Sequence, residues 1–121
     1  MESEGKKRIL EVLQLDDAKD ETCRTFVMHG EDHTLGNSLR YMVMKNPVVE
    51  FCGYNVPHPS EDKINFRIQT KTQPAVDVLR QGLRDLSGAC EHILATFEEA
   101  VDKCKKKQNE EVEKMDMEAS L

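Results

Sequence analysis

The chain has 121 residues, of which 33% are charged, 38% hydrophobic and 5% aromatic, and its formal net charge is -6. That length fits one domain with a modest core. The acidic balance argues against unaided binding to DNA or RNA, which draws on phosphate contacts from a basic face, and against an electrostatic role at a membrane surface.

In chain order, residues Met1 to Arg8 are polar and read as a loose N-terminus. Ile9 to Leu15 is a short apolar-rich run that predicts a first strand, and Asp16 to Glu21 an acidic turn. Thr22 to His29 carries Thr, Phe and Val and stops at Gly30, which predicts a second strand. Leu35, Leu39, Met42 and Val43 then fall on one face of a helix, with Thr34 as its expected N-cap. Asn46-Pro47 is a stop signal, because the residue before a proline disfavours helix.

Val48 to Val56 is β-branched and aromatic and predicts a strand, with Gly53 marking a bulge or a close backbone approach. Pro57 to Asp62 is a loop. Ile64, Phe66, Ile68 and Thr70 alternate with polar residues, as in a strand with one wet face. From Pro74 the chain reads as one long helix, with Thr72 or Gln73 at the cap. Val76, Leu79, Leu83, Leu86, Cys90, Ile93, Phe97, Ala100 and Cys104 recur at alternating steps of three and four, a heptad seam widened by Leu94 and Val101. Gly82 and Gly88 fall off the seam and weaken the helix by about 1 kcal/mol each relative to alanine. The helix is expected to fray after Lys105-Lys106-Lys107, leaving residues 108–121 as a charged, disordered tail and 9–107 as the folded domain.

No apolar run approaches the roughly 18 residues a membrane span needs. Nor does Met1 to Arg8 hold an apolar stretch of signal-peptide length, which argues against secretion. Cys23, Cys52, Cys90 and Cys104 show neither a disulfide framework nor zinc spacing and read as reduced thiols of a cytosolic or nuclear protein.

Catalytic motifs are weak. His29-Gly30-Glu31-Asp32-His33 has the order H-x-E-x-H, not the H-E-x-x-H that sets two histidines on one helical face beside a metal. A small metal-dependent enzyme built on His29 and His33 is the lesser reading; a turn into a capped helix is the better one. No metal ligand, cofactor site or catalytic residue is expected. Lys105 to Lys107 reads as a solvated helix end before a nuclear import signal. The long seam carries more. About 30 helical residues span roughly 45 Å, longer than a four-stranded sheet of ordinary strands covers. The excess apolar stripe needs a second chain.

Three ordered strings carry a resemblance. They are Gly30 to Arg40, with Asp32-His33-Thr34-Leu35-Gly36-Asn37 at its centre; Val49 to Tyr54 with Pro57-His58-Pro59; and Phe66-Arg67-Ile68-Gln69-Thr70. Between about Thr22 and Phe97 they resemble the smaller alpha-like subunit of RNA polymerases, a relative of the bacterial alpha N-terminal domain and of archaeal subunit L. Ser38 to Pro47 and Glu50 to Tyr54 are most similar to the form shared by eukaryotic polymerases I and III; the polymerase II counterpart is the close alternative. The motif positions are His33, Thr34, Leu35, Gly36, Asn37, Arg40, Gly53, Tyr54, Pro57, His58, Pro59, Arg67, Gln69 and Thr70.

The resemblance implies an α+β fold, a four-stranded antiparallel sheet with two helices on one face, that dimerises through the helices. It implies an obligate, larger alpha-like partner, contacts with other core subunits of polymerases I and III, no specific nucleic-acid contact and no membrane. The pair would be a platform for the large catalytic subunits, in the nucleus and nucleolus after cytoplasmic assembly. The expected partner interface is Leu35, Gly36, Leu39, Met42 and Val43 on the first helix, and Val76, Leu79, Leu83, Leu86, Cys90, Ile93 and Phe97 on the second. Gly36, lacking a Cβ, would let the two backbones approach.

Overall fold

The computed structural model describes residues 9–13 and 20–120; the loose N-terminus expected at 1–8, and most of the acidic turn after the first strand, lie outside them. The elements are β1 (Leu10–Leu13), β2 (Cys23–His29), α1 (His33–Met44), β3 (Val49–Asn55), β4 (Lys63–Thr70) and α2 (Ala75–Ala119), in the expected order. All strand pairs are antiparallel, and the sheet runs β1-β2-β4-β3. The chain forms two compact units, one up to Leu86 and one from Ser87.

In the first unit, strand alternation sets the core. Phe26 and Met28 of β2, Cys52 of β3, and Ile64, Phe66 and Ile68 of β4 share one face of the sheet. Leu39 and Val43 of α1 and Ala75, Val78 and Leu79 of α2 close over that face. Each large apolar side chain buried there contributes about 1.5–3 kcal/mol. On β4 the alternation is complete: Ile64, Phe66, Ile68 and Thr70 are buried and the residues between them half-buried.

The helix boundaries differ from expectation at three ends. Gly30 turns the chain with φ +74, a left-handed conformation that glycine adopts without cost, and its N–H donates to Asp62 O at 2.6 Å. Asp32, not Thr34, is the N-cap of α1; its carboxylate accepts from the Thr34 N–H at 2.9 Å. The helix therefore starts at His33. Its stop is as expected: Lys45 caps it, and Asn46 Oδ1 accepts from the Val48 N–H at 3.1 Å. At α2, Pro74 occupies the cap position, its carbonyl accepting from Asp77 and Val78. The far end shows the largest difference. The helix does not stop at Lys107 but continues to Ala119. Residues 108–119 hold no glycine or proline and are mostly Glu, Lys, Met and Ala, which favour helix. The charge that read as a disordered tail is the solvated surface of that helix.

Gly53 does not make a bulge. The register slips between Val49 and Phe51 instead, and the Phe51 ring lies against Gly53, where a Cβ would stand 2.9 Å from Cζ. β3 is an edge strand, and Arg40 Nε of α1 donates to its Cys52 carbonyl at 3.0 Å.

Candidate pairing surface

The two motif strings meet where α1 crosses β3. Tyr54 lies over Gly36, so that a Cβ on Gly36 would stand 2.6 Å from the ring. The Tyr54 hydroxyl is 2.8 Å from His33 Nδ1, with the rings edge to face at 5.6 Å. Within this chain the close approach that Gly36 permits is to its own tyrosine. Arg67 Nη1 donates to Thr25 Oγ1 at 3.1 Å and Nη2 to Cys23 Sγ at 3.2 Å. With its amide oxygen turned towards Arg67, Gln69 accepts from Nε at 2.9 Å. Thr70 Oγ1 donates to the Gln73 carbonyl, and His58 Nδ1 lies 2.6 Å from Ser60 Oγ in the exposed loop of Pro57 and Pro59. The motif residues thus hold α1 to β3, β4 to β2, and the turn before α2. Asn37 is exposed and Thr34 accepts from Ser38 Oγ at 2.7 Å.

The expected interface residues separate into two groups. Gly36, Leu39, Val43 and Leu79 are buried in the chain's own core, at 3% exposure or less for the three with apolar side chains. Surface already removed from water adds little to a pairing, so these four are core residues. Leu35, Met42 and Leu86 are half-buried. Val76 at 41%, Leu83 at 39%, Ile93 at 67% and Phe97 at 66% are exposed, as is Cys90.

The helical stripe is also rotated from the expected seam. The core side of α2 is Ala75, Val78, Leu79 and Gly82, with Leu86 packed at its edge. Gly82 lies within it: a Cβ there would stand 2.6 Å from Val43 Cγ2 and 3.5 Å from Leu39 Cδ1. What read as a helix-weakening glycine is the point where α1 and α2 touch. In the first unit Val76 and Leu83 are left outward; in the unit from Ser87, Cys90, Ile93, Leu94 and Phe97 are exposed at helical spacing. Tyr41 at 65% and Met44 at 45% on α1 were not anticipated. They are three residues apart, neighbours on one face of α1. Lys45 Nζ lies 4.5 Å above the Tyr41 ring.

Electrostatics add little. Burial pushes the Cys52 thiol up to about 12, against a smaller pull down from Arg40. Lys63, hydrogen-bonded and ion-paired to Glu61 at 2.9 Å, holds that carboxyl below its ordinary range. His29 Nε2 lies 3.6 Å from Glu11, whereas His33 faces Tyr54, so the two histidines have different partners. Among the described residues no group of three or more His, Cys, Asp or Glu is placed to hold a metal ion, and no helix is long and apolar enough to cross a membrane.

The profile of the RNA polymerase Rpb3/Rpb11 dimerisation domain matches residues 23–96. Subunit RPAC2 of DNA-directed RNA polymerases I and III from Danio rerio is 60% identical over 95 residues, 78% of this chain and 84% of that protein. The protein of the same name from Schizosaccharomyces pombe is 62% identical over 81 residues, 66% of this chain and 65% of that protein. The crystal structure of DNA-directed RNA polymerase subunit L from Thermoplasma acidophilum shares the fold, with a TM-score of 0.64 at 22% identity over 78% of this chain and 89% of that one. The motif strings whose side chains join α1 to β3 and β4 to β2 lie inside the matched stretch, and the chain belongs to the Rpb3/Rpb11 dimerisation-domain family of RNA polymerase subunits.

Proposed function

We propose that this chain is a non-catalytic core subunit shared by DNA-directed RNA polymerases I and III. It pairs with a larger alpha-like subunit, and the pair is the platform on which the large catalytic subunits assemble for rRNA, 5S rRNA and tRNA synthesis. The observation that carries the reading is the set of exposed apolar side chains on α2, Val76 and Leu83 in the first unit and Cys90, Ile93 and Phe97 in the second, on a chain of a dimerisation-domain family. Apolar side chains lined up at helical spacing on a surface mark a place where a second surface packs. High identity to proteins named as subunits of polymerases I and III supports the choice of enzyme. On this reading the chain works in the nucleus, including the nucleolus, after cytoplasmic assembly, and supplies no catalytic group.

Purification of the tagged chain from cells, with identification of the co-purifying large subunits, tests this. Recovery of polymerase I and III large subunits together with one larger alpha-like chain is expected. Recovery of polymerase II large subunits alone moves the assignment to that enzyme. A monomer that brings down no polymerase subunit sinks the reading.

A further inference from the structure

The apolar stripe of α2 outlasts the stretch matched by the family profile, which ends at residue 96. Phe97, Val101, Cys104, Val112, Met115 and Ala119 follow on one helical face, with Gln108 at the middle. Phe97, Val112 and Met115 are 66%, 55% and 69% exposed. The steps from Phe97 to Gln108 are 4, 3 and 4, and those from Gln108 to Ala119 are again 4, 3 and 4. The spacing therefore reads the same from either end. Two successive steps of four at Gln108 shift the heptad, so positions that alternate as d and a before it alternate as a and d after it.

A second copy laid antiparallel and centred on Gln108 meets this pattern at every layer. Phe97 falls opposite Ala119 of the second copy, Val101 opposite Met115, Cys104 opposite Val112, and Gln108 opposite itself. Large residues face smaller ones at the ends, and one polar layer at the centre fixes the register.

Charge follows the same symmetry. Lys103, Lys105, Lys106 and Lys107 precede the centre, and Glu110, Glu111, Glu113, Asp116 and Glu118 follow it. Antiparallel copies bring each lysine block level with the acidic block of the other. The exceptions, Asp102 and Lys114, fall level with each other. Glu98 and Glu118 make the one like-charge level among the five levels at which both copies carry a charge. A parallel pair would stack lysine on lysine and glutamate on glutamate.

We infer that two copies of this chain pair through residues 97–119 of α2, antiparallel and centred on Gln108. The inference does not rest on the polymerase reading, because the segment lies beyond the family-matched stretch. Free chain is a dimer through this segment.

The full chain carrying Val112→Cys, mixed as isotopically labelled and unlabelled copies and oxidised with oxygen and a copper catalyst, reads the register by peptide mass spectrometry. A Cys104 link to the new cysteine between labelled and unlabelled copies is expected. Within one copy the two positions lie about 12 Å apart along the helix, beyond disulfide reach. A dominant Cys104 to Cys104 link, or no link between copies, overturns the inference. A second arm reverses charge on exposed side chains: Lys105→Glu with Lys106→Glu and Lys107→Glu, or Glu110→Lys with Glu111→Lys and Glu113→Lys. Each set alone weakens self-association by about tenfold, and mixing the two restores it. A mixture as weak as its components rules out the antiparallel register.

Discussion

Tyr54 fills the space that a side chain on Gly36 would need: a Cβ there would meet Cε2 at 2.6 Å, and the tyrosine hydroxyl reaches His33 Nδ1 at 2.8 Å. The ring is thereby held by one turn of α1. Gly36→Leu overpacks this joint and lowers stability by about 1–3 kcal/mol. Tyr54→Phe removes only the hydroxyl contact and costs about 0.5–1.5 kcal/mol. Urea unfolding of the two variants checks both, and an unchanged midpoint for Gly36→Leu contradicts the packing.

Gly82 and Gly88 give substitutions of opposite sign. A Cβ at Gly82 meets Val43 at 2.6 Å, whereas nothing lies within 4 Å of one at Gly88. Gly88→Ala stabilises the helix by about 0.5–1 kcal/mol. Gly82→Val destabilises by about 1–3 kcal/mol, and Val43→Ala in the same chain recovers part of that loss. Thermal unfolding of the three variants gives the signs directly.

Burial separates folding from pairing along α2. Leu79 is 3% exposed and Leu83 39%. Leu79→Asp buries an unpaired carboxylate and unfolds the domain. Leu83→Asp leaves the fold within about 0.5 kcal/mol of the parent and prevents capture of the larger alpha-like subunit in co-expression. Circular dichroism and pull-down together decide it, and a Leu83→Asp chain that still recovers that subunit removes Leu83 from the interface.

Cys52 gives a pH dependence. Burial raises its folded value from 9.0 to about 12. The folded state therefore holds the thiol proton more tightly than the unfolded state. The stabilisation is complete below pH 9 and is lost as pH rises towards about 12, with a slope of up to about 1.4 kcal/mol per pH unit. Cys52→Val removes that slope. In the parent, maleimide at neutral pH labels the exposed Cys90 and leaves Cys52 unmodified until the chain unfolds.

The order of strands and helices was legible because each element carries its own period: β4 alternates from Ile64 to Thr70, and α1 repeats Leu35, Leu39 and Val43. The stop at Asn46-Pro47 was legible for a similar local reason. What was not legible depends on a second element. Asp32 and Thr34 are both acceptable caps, and the choice follows from where Gly30 turns the chain. The heptad seam was found, but its inward edge was not. A glycine contributes nothing to a hydrophobic pattern, yet Gly82 is where α1 packs. Division of the interface list into core and surface required that crossing point. The end of α2 was missed because charge alone does not separate a tail from a solvated helix.

The hydrogen bond from Arg40 to the Cys52 carbonyl and the slip in register at Val49 both lie on β3, one of the two edges of the sheet. The other edge, β1, carries Leu10 and Val12 at 46% and 44% exposure. An edge strand tied to a neighbouring helix and broken in register is a poorer template for a strand from another molecule than a regular one, so β3 carries its own guard against edge-to-edge growth.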